Sequence, residues 1–238
     1  MNNTLTGLGL ALVLALLAAL IGPWFINWSV YRDEFAAQAS ALVGAPVTVS
    51  GAVDARLLPS PYVRFRDLTA GRGPGRLAVA EVEIEFAIAP LLRGEFRAER
   101  VKIVRPRLEI AVRPDGAVEA PFSVAQGSAR AERISFDRAE IIDGAVSVKG
   151  ASGDFLLDRL NGVAEAGSLK GPYRFEGEGS AFGRSAGLRL STGRADAADQ
   201  LRLKLNVAPR GRPETFDLDG TLSFAAAKPT LEGQASLV

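Results

Sequence analysis

Glu81, Glu83 and Glu85, at every second position, are the densest cluster of side chains in this sequence that could do chemistry. That spacing puts three carboxylates on one side of a β-strand, where they could hold a hard cation or carry a solvated charged face. The chain has no histidine and no cysteine, so the ligands that complete most transition-metal sites are missing. The cluster reads as charged surface, and no metal site is expected. The serines fare no better as nucleophiles. Ser180 and Ser185 have no imidazole to activate them, and none of Lys102, Lys149, Lys170, Lys204 and Lys228 completes an S-x-x-K arrangement. Residues 177–183, GEGSAFG, resemble a dinucleotide loop only superficially. The spacing is wrong and no helix follows, so the segment reads as a hairpin turn. No catalytic residue and no cofactor is expected, and the chain is read as a non-enzyme.

Charge excludes a further class. The 28 Lys and Arg residues almost balance 27 Asp and Glu and are scattered among them, so no basic face recruits nucleic acid. Without cysteine no disulfide can staple the fold.

The elements around these residues begin with residues 5–26, LTGLGLALVLALLAALIGPWFI, and no charged side chain precedes Arg32. The stretch suffices for a helix crossing a hydrocarbon layer of about 30 Å. A cleaved signal peptide normally has a basic start and a shorter apolar run, so residues 1–28 read as a transmembrane anchor. Trp24, Phe25, Trp28 and Tyr31 stand where an aromatic interfacial belt is expected. The flanking charges do not orient the anchor.

A second helix runs to about Val43, capped by Asn27 or Ser29 and stopped by Gly44 and Pro46. Its stripe of Val30, Tyr31, Phe35, Ala39 and Leu42 would lie on a bilayer or, preferably, plug one end of a sheet. Period two then takes over. Strands are expected at 62–68, 78–88, 96–105 and 107–113, with Ala78, Ala80, Val82, Ile84, Phe86 and Ile88 on the apolar side of the second. One helical turn at residues 90–94 joins it to the next strand. Residues 114–133 are linker-like and divide a region 29–113 from a β-region 134–238. Short strands recur there between Gly-containing turns, in an antiparallel meander. The last residues, ASLV, read as strand interior, so a continuation is expected.

The fold class is therefore mainly β: an amino-terminal transmembrane helix, a short amphipathic helix, then a curled antiparallel sheet with one apolar face. That face can close as a sandwich or stay open as a groove for apolar chains. Each buried methylene contributes roughly 0.8 kcal/mol, and a uniform lining would let an acyl chain slide. Val82, Ile84, Phe86, Val101, Ile103, Leu108 and Ile110 are the candidate lipid contacts, with ordinary core packing as the bland alternative. Leu57, Leu58 and the turn at 59–61 would mark the entrance near the bilayer.

An ordered series of motifs adds a family. It comprises Trp24-Phe25-Ile26-Asn27-Trp28 with Tyr31 and Arg32, then Leu42-Val43-Gly44, Pro46-Val47-Thr48-Val49-Ser50-Gly51 and Arg56-Leu57-Leu58-Pro59-Ser60-Pro61. It closes on Ala89-Pro90-Leu91-Leu92-Arg93-Gly94-Glu95 and Ile103-Val104-Arg105-Pro106. The series resembles the start of the AsmA family of bacterial envelope proteins, tightly to about residue 112. Ile141-Ile142-Asp143-Gly144 and residues 216–222 are similar more loosely. The resemblance implies one inner-membrane helix and a periplasmic β-rich body related to bridge-like lipid-transfer proteins with a chorein-like start. It also implies phospholipid as partner, a role in outer-membrane biogenesis and envelope-protein contacts. It favours the groove.

Overall fold

The computed structural model describes residues 2–93, 97–121, 135–150, 153–167, 171–194, 200–223 and 230–238. Helix α1 (Asn2–Ile21) leads through 3-10 turns at Gly22–Phe25 and Trp28–Tyr31 into α2 (Arg32–Val43). Asn27 caps the second turn, its side chain accepting from the Ser29 N–H at 3.2 Å, and Gly44 ends α2 at φ 73°, a left-handed cap that favours glycine. Among the described residues no helix is long and apolar enough to cross a membrane, so the expected span is not found as such. The side chains of residues 1–5, 16, 19, 23 and 24 are outside the description.

The strands are β1 (Val47–Val49), β2 (Val53–Arg56), β3 (Tyr62–Arg72), β4 (Gly75–Phe86), β5 (Arg97–Val104), β6 (Arg107–Val112) and β7 (Val118–Glu119). After them come β8 (Ser135–Gly150), β9 (Gly153–Ala166), β10 (Tyr173–Ala181), β11 (Arg184–Thr192), β12 (Gln200–Pro209), β13 (Phe216–Ser223) and β14 (Thr230–Leu237). Helix α3 (Ile88–Leu92) joins β4 to β5, one turn as expected, although Ile88 starts that helix and does not extend the strand.

All strands lie in a single sheet, ordered β1-β3-β4-β5-β8-β9-β10-β11-β12-β13-β14, with β2 beside β3 and β6 beside β4 and β8. Pairing is antiparallel except where β5 and β6 meet β8 in parallel. The antiparallel meander expected for residues 134–238 runs from β8 to β14, and the parallel joint lies where it meets the preceding strands. Residues 122–134 intervene between β7 and β8 and, with most of the linker-like stretch and the start expected at Ile134, lie outside the described residues. What looked like separate strands at 134–137 and 145–148 is the single strand β8.

Strands pack extensively only on their ladder neighbours, and among the described residues no large side chain is completely buried. The sheet is thus neither a sandwich nor a closed barrel there. Among the described residues, small cores sit at the amino-terminal edge, where Val47, Val49, Val53, Ala70 and Val79 are buried, and at the β5–β8 joint, where Ala98, Val101 and Ala139 are buried. Helix α2 plugs the amino-terminal edge. Phe35 meets Phe65 edge-on at 5.7 Å, and Ser40 Oγ accepts from the Val47 N–H at 2.8 Å. Ser29 Oγ accepts from the Val53 N–H at 3.1 Å. The helix's apolar stripe is narrower than expected, because Val30 and Tyr31 remain exposed; the Leu42 side chain is outside the description.

Candidate functional site

Residues paired across a ladder share a face of the sheet, so the register traces the apolar face strand by strand. In one row Phe65 pairs with Val82, Val82 with Ile103 and Ile103 with Ile141. The same row continues through Gly162, Gly177, Leu188 and Val207 to Phe216 and Leu237. A second row starts Val63–Ile84–Val101–Ala139 and runs on through Ala164, Phe175 and Leu190. It ends at Leu205, Leu218 and Ala235. Neither row contains a charged residue. At about 4.8 Å per strand, nine steps make a wall of roughly 43 Å, longer than the roughly 30 Å hydrocarbon core of a bilayer.

Five of the expected lipid contacts fall in or beside these rows. Val82, Ile84, Val101 and Ile103 cluster with Ala98, Phe136, Ala139 and Ala164, and Phe86 pairs with Ala98. Leu108 and Ile110 lie farther along the strands, paired with Val146 and Val148. The structure adds residues that the sequence reading did not select: Val63, Phe65, Ile141, Phe175 and the leucines of β11 to β13. Their period-two alternation was the available signal.

A line of left-handed residues joins the two groups. Asp67, Arg105, Asp143 and Arg159 all have φ of 49–50°, and the register sets them side by side across β3, the β5–β6 joint, β8 and β9. At each, the apolar series changes parity: Val63 and Phe65 give way to Leu68 and Ala70, Val101 and Ile103 to Leu108 and Ile110. A left-handed residue turns the pleat, so that both series stay on one face. On β9 this is directly visible. A Cβ built on Gly179 would lie 2.9 Å from Leu157, 3.3 Å from Leu188 and 3.4 Å from Leu160, so Leu157 and Leu160, three positions apart, converge on the same side. The crease also corrects the expected face of β4. Ala78 sits in a row with Thr69 and Arg107, while Leu77 joins Ala70 and Leu108 and Val79 is buried.

Within the wall Gly162 faces Gly177. A Cβ on either would come within 2.7 Å of Phe175 Cζ, so the Phe175 ring covers the gap that two missing side chains leave. Gly177 and Gly179 lie inside β10, and only Phe182 and Gly183 form the turn, shorter than the sequence segment expected to make it.

The opposite face is ionic. Arg64 binds Glu83 through Nε at 2.8 Å and Glu81 at 3.8 Å, Arg66 binds Glu81 at 3.5 Å, and Arg100 binds Glu85 at 3.0 Å. The three glutamates are thus paired with arginines, and among the described residues no group of acidic side chains could hold a metal ion. The hydrogen bond to Glu83 holds the Arg64 guanidinium above its ordinary pKa. Farther along, Asp219 is bound by Lys204 and Arg202, which hold its carboxyl below the ordinary value. A hollow of about 1010 Å³ lies on this face, edged by Arg138, Glu165, Arg174, Glu176, Arg189 and Lys204. The residues of the apolar rows are mostly half-buried, with Val101 and Ala139 buried. Ser180 is buried and its hydroxyl accepts from Arg159 at 2.6 Å, which gives it a structural bond at the crease.

Of the expected interfacial aromatics, Phe25 and Tyr31 are exposed, and Trp28 is half-buried with its ring 6.4 Å from Tyr31. The Trp24 side chain is outside the description.

The AsmA family model matches residues 4–135, which is more than half of the chain and includes α1, α2 and the strands up to β7. No curated protein and no solved structure gives a match.

Proposed function

This chain belongs to the AsmA family, and from that premise we propose that it is an inner-membrane-anchored periplasmic protein that holds or conducts phospholipid acyl chains along its apolar wall. In this reading it supports outer-membrane biogenesis without catalysing a reaction. The observation that carries the proposal is the pair of uncharged rows running from β3 to β14 on a face that no second sheet covers among the described residues. Each methylene laid on such a wall contributes roughly 0.8 kcal/mol where it is fully covered. Neighbouring positions are alike, so a tail can move along the rows at little cost.

Helix α1 is the proposed anchor. Its 20 residues span about 30 Å at 1.5 Å per residue. Leu8, Leu10, Leu12, Leu14, Leu17 and Leu20 are exposed, and the helix packs mainly on the turn that follows it. A helix apolar all round and bare of protein contacts suits lipid surroundings. The turns after it contact β2, so Leu57, Leu58 and the 59–61 turn lie at the proposed point of lipid entry, with Phe25, Trp28 and Tyr31 at the interface. The periplasmic placement rests on the family.

Photo-crosslinking from Ile84 and Ile103 in cells tests the wall, with Lys102, on the charged face between them, as control. Phospholipid adducts are expected at Ile84 and Ile103 and not at Lys102. Adducts to protein alone at both apolar positions would overturn the proposal. The charged hollow favours a second reading, in which an envelope protein docks on the ionic face; crosslinks from Arg138 or Arg174 to one protein would support it.

A further inference from the structure

Phe182 sits at the tip of the β10–β11 hairpin with φ 52°, followed by Gly183 at φ 74°, and joins Ala181 directly to Arg184. Two left-handed residues in a two-residue loop make the turn that Asn-Gly or Gly-Gly forms most readily. Phenylalanine is a poor choice there on backbone grounds. The ring gains little burial from the fold in return, since it is 83% exposed. Among the described residues its aromatic neighbour is Phe155, edge-on at 5.8 Å, itself 40% exposed, beside Leu156 at 51%. Phe155 pairs with Val148 and Leu156 with Ser147, and successive strand residues point to opposite faces. Phe155 and Leu156 therefore put one apolar side chain on each side of this end of the sheet.

Basic side chains flank the tip. Lys149 and Arg184 are exposed, and among the described residues neither has an ion-pair partner. Asp154, opposite Lys149 in the ladder, is the acidic neighbour. Exposed apolar side chains at a hairpin tip with cations behind them suit insertion into an anionic bilayer surface.

We propose that the tip formed by Phe155, Leu156 and Phe182 dips into a lipid bilayer, with Lys149 and Arg184 against anionic headgroups. Phe155 continues the Ile110–Val148 row of the apolar wall, and the proposal adds to that wall a tip that enters the bilayer itself. The chain has no cysteine, so Phe182→Cys offers a single site for an environment-sensitive fluorophore. The full chain, with its amino-terminal helix held in a nanodisc, is mixed with vesicles containing phosphatidylglycerol. Doxyl-labelled lipid is placed either in the disc or in the vesicles. A blue shift with quenching in either arrangement is expected, the arm identifying the same or a facing bilayer. Emission unchanged in both, or a shift produced only by an added protein, overturns the proposal. Phe182→Asn separates binding from folding. It should keep or raise Tm, because Asn suits the turn, while weakening binding to phosphatidylglycerol membranes roughly tenfold through the loss of the buried ring. Unchanged binding by that variant also overturns it.

Discussion

The two ends of the sheet are built from similar alternating sequence and end up in different states. At β1 to β3 the apolar face is plugged by α2, and Val49 and Val53 are only 5% and 3% exposed. At β13 and β14 the same rows continue through Leu218, Phe216, Ala235 and Leu237, yet every residue of β14 is exposed. Pattern alone does not decide burial. A strand with one apolar face is half of a core, and it becomes a core only where another element covers it. The plugged end holds the sheet to the preceding helices, and the less covered length is where the proposed function places lipid.

The largest expected effect tests this contrast. Val53→Asp should destabilise the protein by about 3 kcal/mol or more, because it leaves an unpaired charge among buried valines. Leu205→Asp on the open wall should cost about 1 kcal/mol, since water reaches the new carboxylate. Denaturant melts of the two variants side by side provide the measurement; equal losses would mean that the wall is as closed as the plugged end. Next comes the crease. Asp67→Val should cost about 1–3 kcal/mol, because a β-branched residue resists φ near +50°. Asp67→Gly should be near neutral, and the difference between their midpoints isolates the backbone term.

Ser40→Ala should cost about 1 kcal/mol by removing the acceptor for the Val47 N–H, read as faster amide exchange at Val47 than at strands of the bare end. The smallest effect is at Asp219. Its carboxyl titrates below the ordinary aspartate value because Lys204 and Arg202 bind the charged form. The stabilisation from those bonds is therefore complete above the unfolded-state pKa and is lost as pH falls through the lower folded value. An NMR titration of Asp219 with and without Lys204→Met should show the pKa rising in the variant, with little change in midpoint at neutral pH.

Much of the architecture was legible along the chain. Gly44 and Pro46 marked the end of α2, the alternation in residues 201–207 marked β12, and Glu81, Glu83 and Glu85 announced a charged face. The crease was not read, although each strand carries its trace. In Phe65-Arg66-Asp67-Leu68 and Ile141-Ile142-Asp143-Gly144 the apolar parity slips by one at a polar residue. In a single strand such a slip looks like an end or a turn. This is why β8 seemed to be two strands and why Ala78 seemed to share a face with Val82.

The amino acids by themselves determined the period of each segment, the absence of histidine and cysteine chemistry, and the segregation of charge from apolar side chains, because these are properties of composition and spacing. Only the tertiary structure decided that the slips line up across neighbouring strands, that β5 and β6 meet β8 in parallel, and that one end is covered while the other is bare. Those outcomes depend on register and on pairings between distant residues. A one-residue change of register would send a whole series of side chains to the other face, and no local pattern records which partner a strand will find.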